Sequence, residues 1–244
     1  MRPLGSTLAA SVIFVSATGA VANDQQDCQA TGNELSIAAC TRILAANPAD
    51  FGALANRGVS YRATGDYDRA LADFDAAMRL NSDSAVSAGL FLERGLAHDG
   101  KGNHTAAIGD FDEALRRNPS LMVAYFARAM ALEDIGQPER AKVDLSEAMR
   151  RNREMVAALY MQRGYVLKRS RDFDKAIAAF DKAIYLNPNW PSAYFGRGAS
   201  YEEQGNREQA VADYLMTLEF RARTELERQR QQSAREQLEK LSRG

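Results

Sequence analysis

Cysteine and histidine are scarce in this sequence. Its 244 residues include two Cys and two His, so side chains that bind metals or form nucleophile–base pairs are few. Neither His98 nor His104 has a Cys or an acidic residue at metal-ligand spacing, and we expect no metal site. A Gly-rich phosphate loop, a nucleophile elbow and a His-Glu pair at helical spacing are also missing. These absences argue against an enzyme and against a bound cofactor.

The chain has no excess of charge of either sign. Lys and Arg number 31 and Asp and Glu number 32, which gives a formal net charge of −1. Proteins that bind nucleic acids normally carry a basic excess or a basic stripe. We therefore expect neither a nucleic-acid partner nor an anionic membrane surface as partner.

Long apolar runs are absent after the N-terminus, and the N-terminal run is short. Residues 1–22 read "MRPLGSTLAASVIFVSATGAVA", with Arg2, an apolar stretch over residues 8–17 and small residues up to Ala22. This three-part build is typical of a secretory signal peptide cleaved after Ala22. The alternative is a transmembrane anchor, but the stretch is shorter than the roughly 20 residues that span a bilayer. We expect an exported, periplasmic or secreted protein without membrane insertion.

The two cysteines follow the expected cleavage point. Cys28 and Cys40 would both lie in an oxidising compartment, where we expect one intramolecular disulfide rather than two buried free thiols. That bridge would hold the N-terminal segment, residues 23–50, against its first helix.

The sequence contains a phrase that repeats. Residues 173–188 read "FDKAIAAFDKAIYLNP", and residues 67–81, 106–119 and 140–152 carry versions of the same phrase. A small residue marks each unit at intervals of 37, 34, 35 and 34 residues, at Gly58, Gly95, Ala129, Gly164 and Gly198. A small residue follows each marker by twelve places, a large one by sixteen and another small one by nineteen, as at Ala70, Phe74 and Ala77. Such self-similarity is the signature of a repeat architecture.

Each unit contains two stretches with apolar residues at helical spacing, separated by a short turn. The spacing predicts two amphipathic helices in each unit. The left-handed position that ends the first helix is occupied by glycine at Gly65, Gly102, Gly136 and Gly205. Pro119 and Pro188 follow second helices, where a helix cannot continue.

A helix–turn–helix unit of about 34 residues with this pattern resembles the tetratricopeptide repeat (TPR). The resemblance covers residues 51–84, 88–121, 122–155, 157–190 and 191–224, and residues 197–214 look like the repeats of exported bacterial proteins of this family. It implies an all-α fold, a right-handed superhelical solenoid of five units over residues 51–218. Residues 23–50 would form an N-terminal half-repeat cap, and the charged residues 219–244 a C-terminal capping helix. The departures are Ala129 in place of Gly, no closing Pro in the third unit, and three residues inserted at 85–87.

The resemblance also implies a ligand-binding groove on the concave face, lined by the first helix of each unit. The fifth and ninth positions of the units place these residues in it: Ala55, Val59, Leu92, Leu96, Phe126, Met130, Met161, Tyr165, Phe195 and Ala199. Polar support would come from Asn56, Gln162, Lys168 and Arg169. The alternative is that this apolar stripe is core, packed between first helices or beneath the C-terminal helix.

Two charged patterns have structural interpretations. The Lys, Asn and Arg clamp with which some TPR domains bind carboxylate tails is absent, since Ala55, Val59, Val123 and Ala127 occupy its positions. Arginine recurs at the seventh position of all five units, as Arg57, Arg94, Arg128, Arg163 and Arg197. Asp73, Asp110, Asp144 and Asp213 recur in the second helices, so we expect ion pairs between helices rather than a phosphate-binding ladder.

The sequence thus predicts a non-enzymatic scaffold that holds an extended peptide or a helix of a partner protein. A self-assembling envelope protein, with the groove and C-terminal helix joining copies of the chain, is the alternative.

Overall fold

The computed structural model describes residues 17–30, 32–80 and 84–243, with only the backbone described at residues 17–22 and 84–86. Residues 1–16 of the expected signal peptide lie outside this part. Every regular element in it is an α-helix, so the all-α prediction is confirmed. The helices are α1 (Ala17–Gln29), α2 (Glu34–Ala46), α3 (Phe51–Ala63), α4 (Tyr67–Leu80), α5 (Ser84–Gly100), α6 (His104–Arg117), α7 (Met122–Asp134), α8 (Pro138–Arg169), α9 (Phe173–Leu186), α10 (Pro191–Glu203), α11 (Arg207–Glu219) and α12 (Glu225–Arg243).

The chain divides into two compact units, residues 1–124 and 125–244. In the first unit, α1 packs on α2, α3 on α4 and α5 on α6, and each pair also contacts the next. In the second unit, α8 packs on α9 and α10 on α11, while α12 contacts both α10 and α11. The helix pairs are the repeating structural element of both units.

A glycine in the first helix of a pair lets the aromatic ring of the second helix approach closely. A Cβ added to Gly58 would lie 2.7 Å from the Phe74 ring. Phe74 is fully buried, and its position recurs at Phe111 and Phe180. The small-aromatic-small spacing of the sequence therefore describes how two helices of one repeat pack together.

The link between the third and fourth repeats differs in sequence from the links that follow the second and fourth repeats. Asn118 and Asn187 end α6 and α9 with non-helical backbone angles, and each is followed by a proline. Asn152 has no proline after it, and its backbone (φ −160°, ψ 95°) is non-helical, much like that of Asn118 (φ −139°, ψ 89°), so α8 consists of two helices that meet at a kink. The Asn152 side chain accepts a hydrogen bond of 2.9 Å from the Met155 amide and so caps the second half of α8.

Two further features were not evident from the sequence pattern. The inserted residues 85–87 belong to α5, which begins at Ser84 and is lengthened at its N-terminus. Helix α1 precedes the predicted cap helix α2 and forms a pair with it. A disulfide joins Cys28 of α1 to Cys40 of α2, and both residues are buried. Helix α1 lacks apolar periodicity, which is why the repeat pattern did not reveal it.

Candidate functional site

Four of the five recurring arginines bind the aspartate that lies sixteen residues later. Each pair makes two hydrogen bonds of 2.6 to 2.9 Å, in Arg57–Asp73, Arg94–Asp110, Arg128–Asp144 and Arg197–Asp213. The four aspartates are buried. These hydrogen bonds raise the pKa of Arg57, Arg94 and Arg197 against the opposing effect of burial. The pairs thus join the two helices of a repeat, as the sequence predicted.

A second contact links some of these arginines to the preceding helix pair. Arg94 Nη1 donates to Asp75 at 2.7 Å, and Arg197 Nη1 donates to Asp181 at 2.5 Å. These arginines therefore join carboxylates of two successive second helices.

The fourth repeat breaks this pattern. Ala179 stands sixteen residues after Arg163, where the other repeats have aspartate, and Ser146 stands in the preceding repeat at the position of Asp75. Arg163 donates instead to Asp134 at the end of α7, at 3.1 Å. Its guanidinium has thus been redirected from the interior of its own repeat towards the neighbouring first helix.

A cavity of about 240 Å³ lies beside this arginine, between α7, α8 and α9 of the second unit. Its small and apolar lining comes from Met130, Tyr160, Ala178 and Ala179, and its charged lining from Glu133, Asp134, Arg163, Lys175 and Lys182. Burial raises the pKa of Tyr160, and the negative charge of Glu133 adds to that rise. The cavity is therefore lined both by small or apolar residues and by charged residues of both signs.

The predicted groove residues of the first unit lie against its core. Ala55 and Val59 are partly buried and pack on the cluster that contains Leu54. Leu92 and Leu96 on α5 are half-buried, as is Asn56 of the predicted polar support. Leu92 and Leu96 therefore expose part of their apolar surface, which a partner could contact.

In the second unit, Phe126 and Met130 are interior residues. They are only 6% and 3% exposed, respectively. The Phe126 ring meets the Tyr160 ring edge-on, with centroids 4.9 Å apart. Phe126 therefore joins α7 to α8, and Met130 lines the cavity.

Helix α12 covers the C-terminal end of the predicted lining. Phe195 belongs to a cluster that includes Leu238 and Leu241 of α12. The Arg230 guanidinium of α12 lies 5.0 Å from the centroid of the Tyr165 ring. The Tyr165 hydroxyl donates to the Ser192 carbonyl at 2.7 Å, and burial raises the pKa of Tyr165.

The remaining predicted residues of the second unit lie closer to solvent. Met161 and Lys168 are half-buried, and Gln162 and Arg169 are exposed. In the second unit the predicted lining therefore includes buried residues such as Met130, the half-buried Met161 and exposed polar residues such as Gln162. Sequence reasoning missed the cavity, although the missing aspartate at Ala179 is visible when the five repeats are aligned.

Comparison with known protein families supports the repeat assignment. Tetratricopeptide repeat models match residues 29–85, 58–122, 92–141 and 192–219, and a TPR repeat model matches residues 159–205. The chain belongs to the tetratricopeptide repeat family. The match from residue 29 includes α2, so the TPR pattern extends into the segment predicted to be the N-terminal cap.

Solved structures show the same fold. A tetratricopeptide repeat protein from Parabacteroides merdae has a TM-score of 0.54 at 17% identity, covering 92% of each chain. The Cut9–Hcn1 hetero-tetramer of the APC/C has a TM-score of 0.51 at 15% identity, covering 81% of this chain and 38% of that one. The C-terminal part of a TPR repeat-containing protein from Cytophaga hutchinsonii has a TM-score of 0.50 at 18% identity, covering 83% of this chain and 78% of that one. No match was found among curated proteins.

No helix within residues 17–30, 32–80 and 84–243 combines the length and the apolar character needed to cross a bilayer.

Proposed function

We propose that this TPR protein is a non-enzymatic scaffold that binds an extended peptide or a helix of a partner protein after export to the periplasm or beyond. The family supports a role in protein interaction. The disulfide between Cys28 and Cys40 is compatible with an oxidising compartment. The N-terminal pattern of residues 1–22 adds the expectation of a secretory signal peptide.

The observation that carries the proposal is the contrast between the regular repeats and the fourth one. In four repeats a buried aspartate binds the recurring arginine. In the fourth repeat Arg163 binds Asp134 instead, and a cavity of about 240 Å³ lies beside it. Small-molecule sites usually enclose about 300–1,000 Å³. A cavity below that range, with mixed apolar and charged lining, suits one side chain of a protein partner.

The proposed partner contacts differ between the two units, because different residues remain accessible in each. In the first unit, Leu92 and Leu96 form the half-buried apolar surface. In the second unit, half-buried Met161 lies beside exposed Gln162 and Arg169. This surface is supported from within by Phe126, Tyr165 and Phe195, which pack against other helices, and by the buried Met130.

Affinity capture from cell-envelope extract tests the proposal with two matched variants of the full chain. Met161→Glu adds a carboxylate to the proposed surface, and Val143→Glu adds one at a side chain that is 69% exposed elsewhere on α8. Both variants must retain the helical content of the parent by circular dichroism. We expect Val143→Glu to capture the same partner as the parent and Met161→Glu to lose it. Equal capture by all three proteins would contradict the proposed surface.

Self-assembly is the second candidate, favoured by the exposed Leu226 near the start of α12. It predicts that the sedimentation coefficient of the purified chain rises with concentration and that Leu226→Glu abolishes the rise. A constant monomer mass would exclude this candidate over the concentrations measured.

A further inference from the structure

The fourth repeat lacks the two carboxylates that surround the equivalent arginine in the fifth repeat. Arg197 binds Asp213 at 2.8 and 2.7 Å and Asp181 at 2.5 Å. Arg163 has Ala179 and Ser146 at those two positions and, among the described residues, makes a single side-chain hydrogen bond, to Asp134. The arginine is retained in the fourth repeat although both of its repeat partners are absent.

We propose that the cavity beside Ala179 binds an acidic side chain of the protein partner, whose carboxylate takes the place that aspartate holds in the other four repeats. The inference rests on the proposed scaffold function and assigns it a recognition chemistry. Arginine suits this role because its planar guanidinium binds a carboxylate with two parallel hydrogen bonds.

The shape of the cavity agrees with this assignment. Ala179 is buried and carries no side chain beyond its Cβ, so the volume that an aspartate occupies elsewhere is available. Met130 and Tyr160 provide apolar contact for the methylene groups of an entering Asp or Glu. The carboxylate would then approach Arg163 from the side of α9, as Asp213 approaches Arg197 from α11.

The charges of the lining also favour an anion. Three cationic residues, Arg163, Lys175 and Lys182, face two acidic ones, Glu133 and Asp134. Lys175 lies 3.8 Å from Asp134, so Asp134 keeps a cationic neighbour when Arg163 turns to the ligand. Lys182 forms no ion pair with any residue in the described part of the chain, and its ammonium group remains for the ligand.

Ala179→Asp tests the inference by supplying an internal carboxylate at the vacant position. The probe is N-acetyl-aspartate N-methylamide, with the asparagine analogue as its uncharged match, and the readout is the Arg163 Nε–H resonance in the full chain. We expect the aspartate probe to shift this resonance saturably in the millimolar range, which corresponds to about −4 kcal/mol. The asparagine probe should give no saturable shift.

Three variants test whether the aspartate probe binds to Arg163 in the space beside Ala179. Ala179→Asp should abolish the shift, whereas Ala212→Asp, the same change at an exposed position of α11, should leave it unaltered. Arg163→Gln should weaken binding by about tenfold or more, read from other cavity resonances, because a charged hydrogen-bond donor is lost. If Ala179→Asp does not fold, Arg163→Gln still tests the inference. No saturable shift in the parent, or undiminished binding in Ala179→Asp or Arg163→Gln, would overturn the inference.

The outcomes separate this inference from the proposed function. If parent and Ala179→Asp capture the same partner equally well, the cavity is not the recognition site and the scaffold role stands. If no variant or parent captures a partner, the scaffold role fails, while the probe titration still decides whether the cavity binds carboxylates.

Discussion

At the scale of single residues, an aspartate or its absence determines where each repeat directs its arginine. Asp213 is buried and holds Arg197 between the two helices of the fifth repeat. Ala179 removes that partner in the fourth repeat, and Arg163 reaches Asp134 on α7 instead. The same arginine position therefore serves packing in one repeat and faces a cavity in another.

The two carboxylates bound to Arg197 should differ strongly in their effect on stability. Asp213→Ala leaves a largely buried guanidinium without its two-bonded partner, so we expect the free energy of unfolding to fall by about 2–4 kcal/mol. Asp181→Ala removes a partner whose side chain is 49% exposed, and the expected loss is below about 1 kcal/mol. Urea unfolding of both variants measures the difference. Equal losses would show that the buried pair has no special weight.

At the scale of helices and turns, much of the fold could be predicted because its determinants are local. Apolar spacing gave the helix pairs, and Gly65, Gly102, Gly136 and Gly205 all have the positive φ expected at the turn. The two parts of α8 meet at a kink at Asn152, which the sequence marks by an Asn at the position of Asn118 and Asn187 but without the following proline. The N-terminal helix α1 escaped prediction because it lacks apolar periodicity, although the disulfide that links it to α2 could be predicted.

The turn of the fourth repeat carries Arg171 at the position of these glycines. Its φ is +63°, a left-handed conformation that costs a residue with a Cβ about 1–2 kcal/mol. Arg171→Gly should relieve this cost and stabilise the protein by up to about 1 kcal/mol, despite the greater freedom of glycine in the unfolded chain. The reverse change, Gly205→Ala at φ +78°, should destabilise it. Thermal unfolding midpoints that do not move in opposite directions would contradict this account.

The packing of α8 and α10 on α9 depends on two glycines that face one ring. A Cβ at Gly164 would lie 2.7 Å from the Phe180 ring, and one at Gly196 would lie 2.5 Å from it. Gly164→Ala should therefore cost about 1–3 kcal/mol through overpacking.

Gly109 provides the control for this substitution. A Cβ there would meet nothing within 4 Å, so Gly109→Ala in α6 should stabilise the helix by about 0.5–1 kcal/mol. Guanidinium unfolding curves measure both effects. A stabilising Gly164→Ala would show that the ring can move without cost.

At the scale of the molecule, the disulfide fixes the first helix pair of the first unit. Cys28 and Cys40 are twelve residues apart, and closing a loop of that size contributes about 3 kcal/mol in the chain-entropy model. The double variant Cys28→Ser/Cys40→Ser should therefore lower the stability of the first unit.

Hydrogen exchange measures the location of this effect. Amides of α1 and α2 should lose protection in the double variant, while those of α9 and α10 should keep it. Equal protection of α1 and α2 with and without the bridge would contradict a stabilising role for the disulfide.

The candidate site could be predicted only in part. The sequence contains five arginines and four aspartates at the repeat positions, and this imbalance identifies the fourth repeat as the exception. It does not say that Arg163 turns to Asp134, because that contact joins residues 29 positions apart in different repeats. Cover by the C-terminal helix was one of two alternatives that the sequence left open, and the packing of Phe195 with Leu238 and Leu241 of α12 shows it at that end of the stripe.

The most direct test of the scaffold function is site-specific photo-crosslinking in cells that export the full chain. A photoreactive phenylalanine replaces Gln162, which is exposed beside Met161, or Val143 as the control. We predict one discrete adduct with a different protein from position 162 and none from position 143. An absence of adducts at position 162, identical adducts from both positions, or an adduct of the chain with itself would contradict the proposed binding surface.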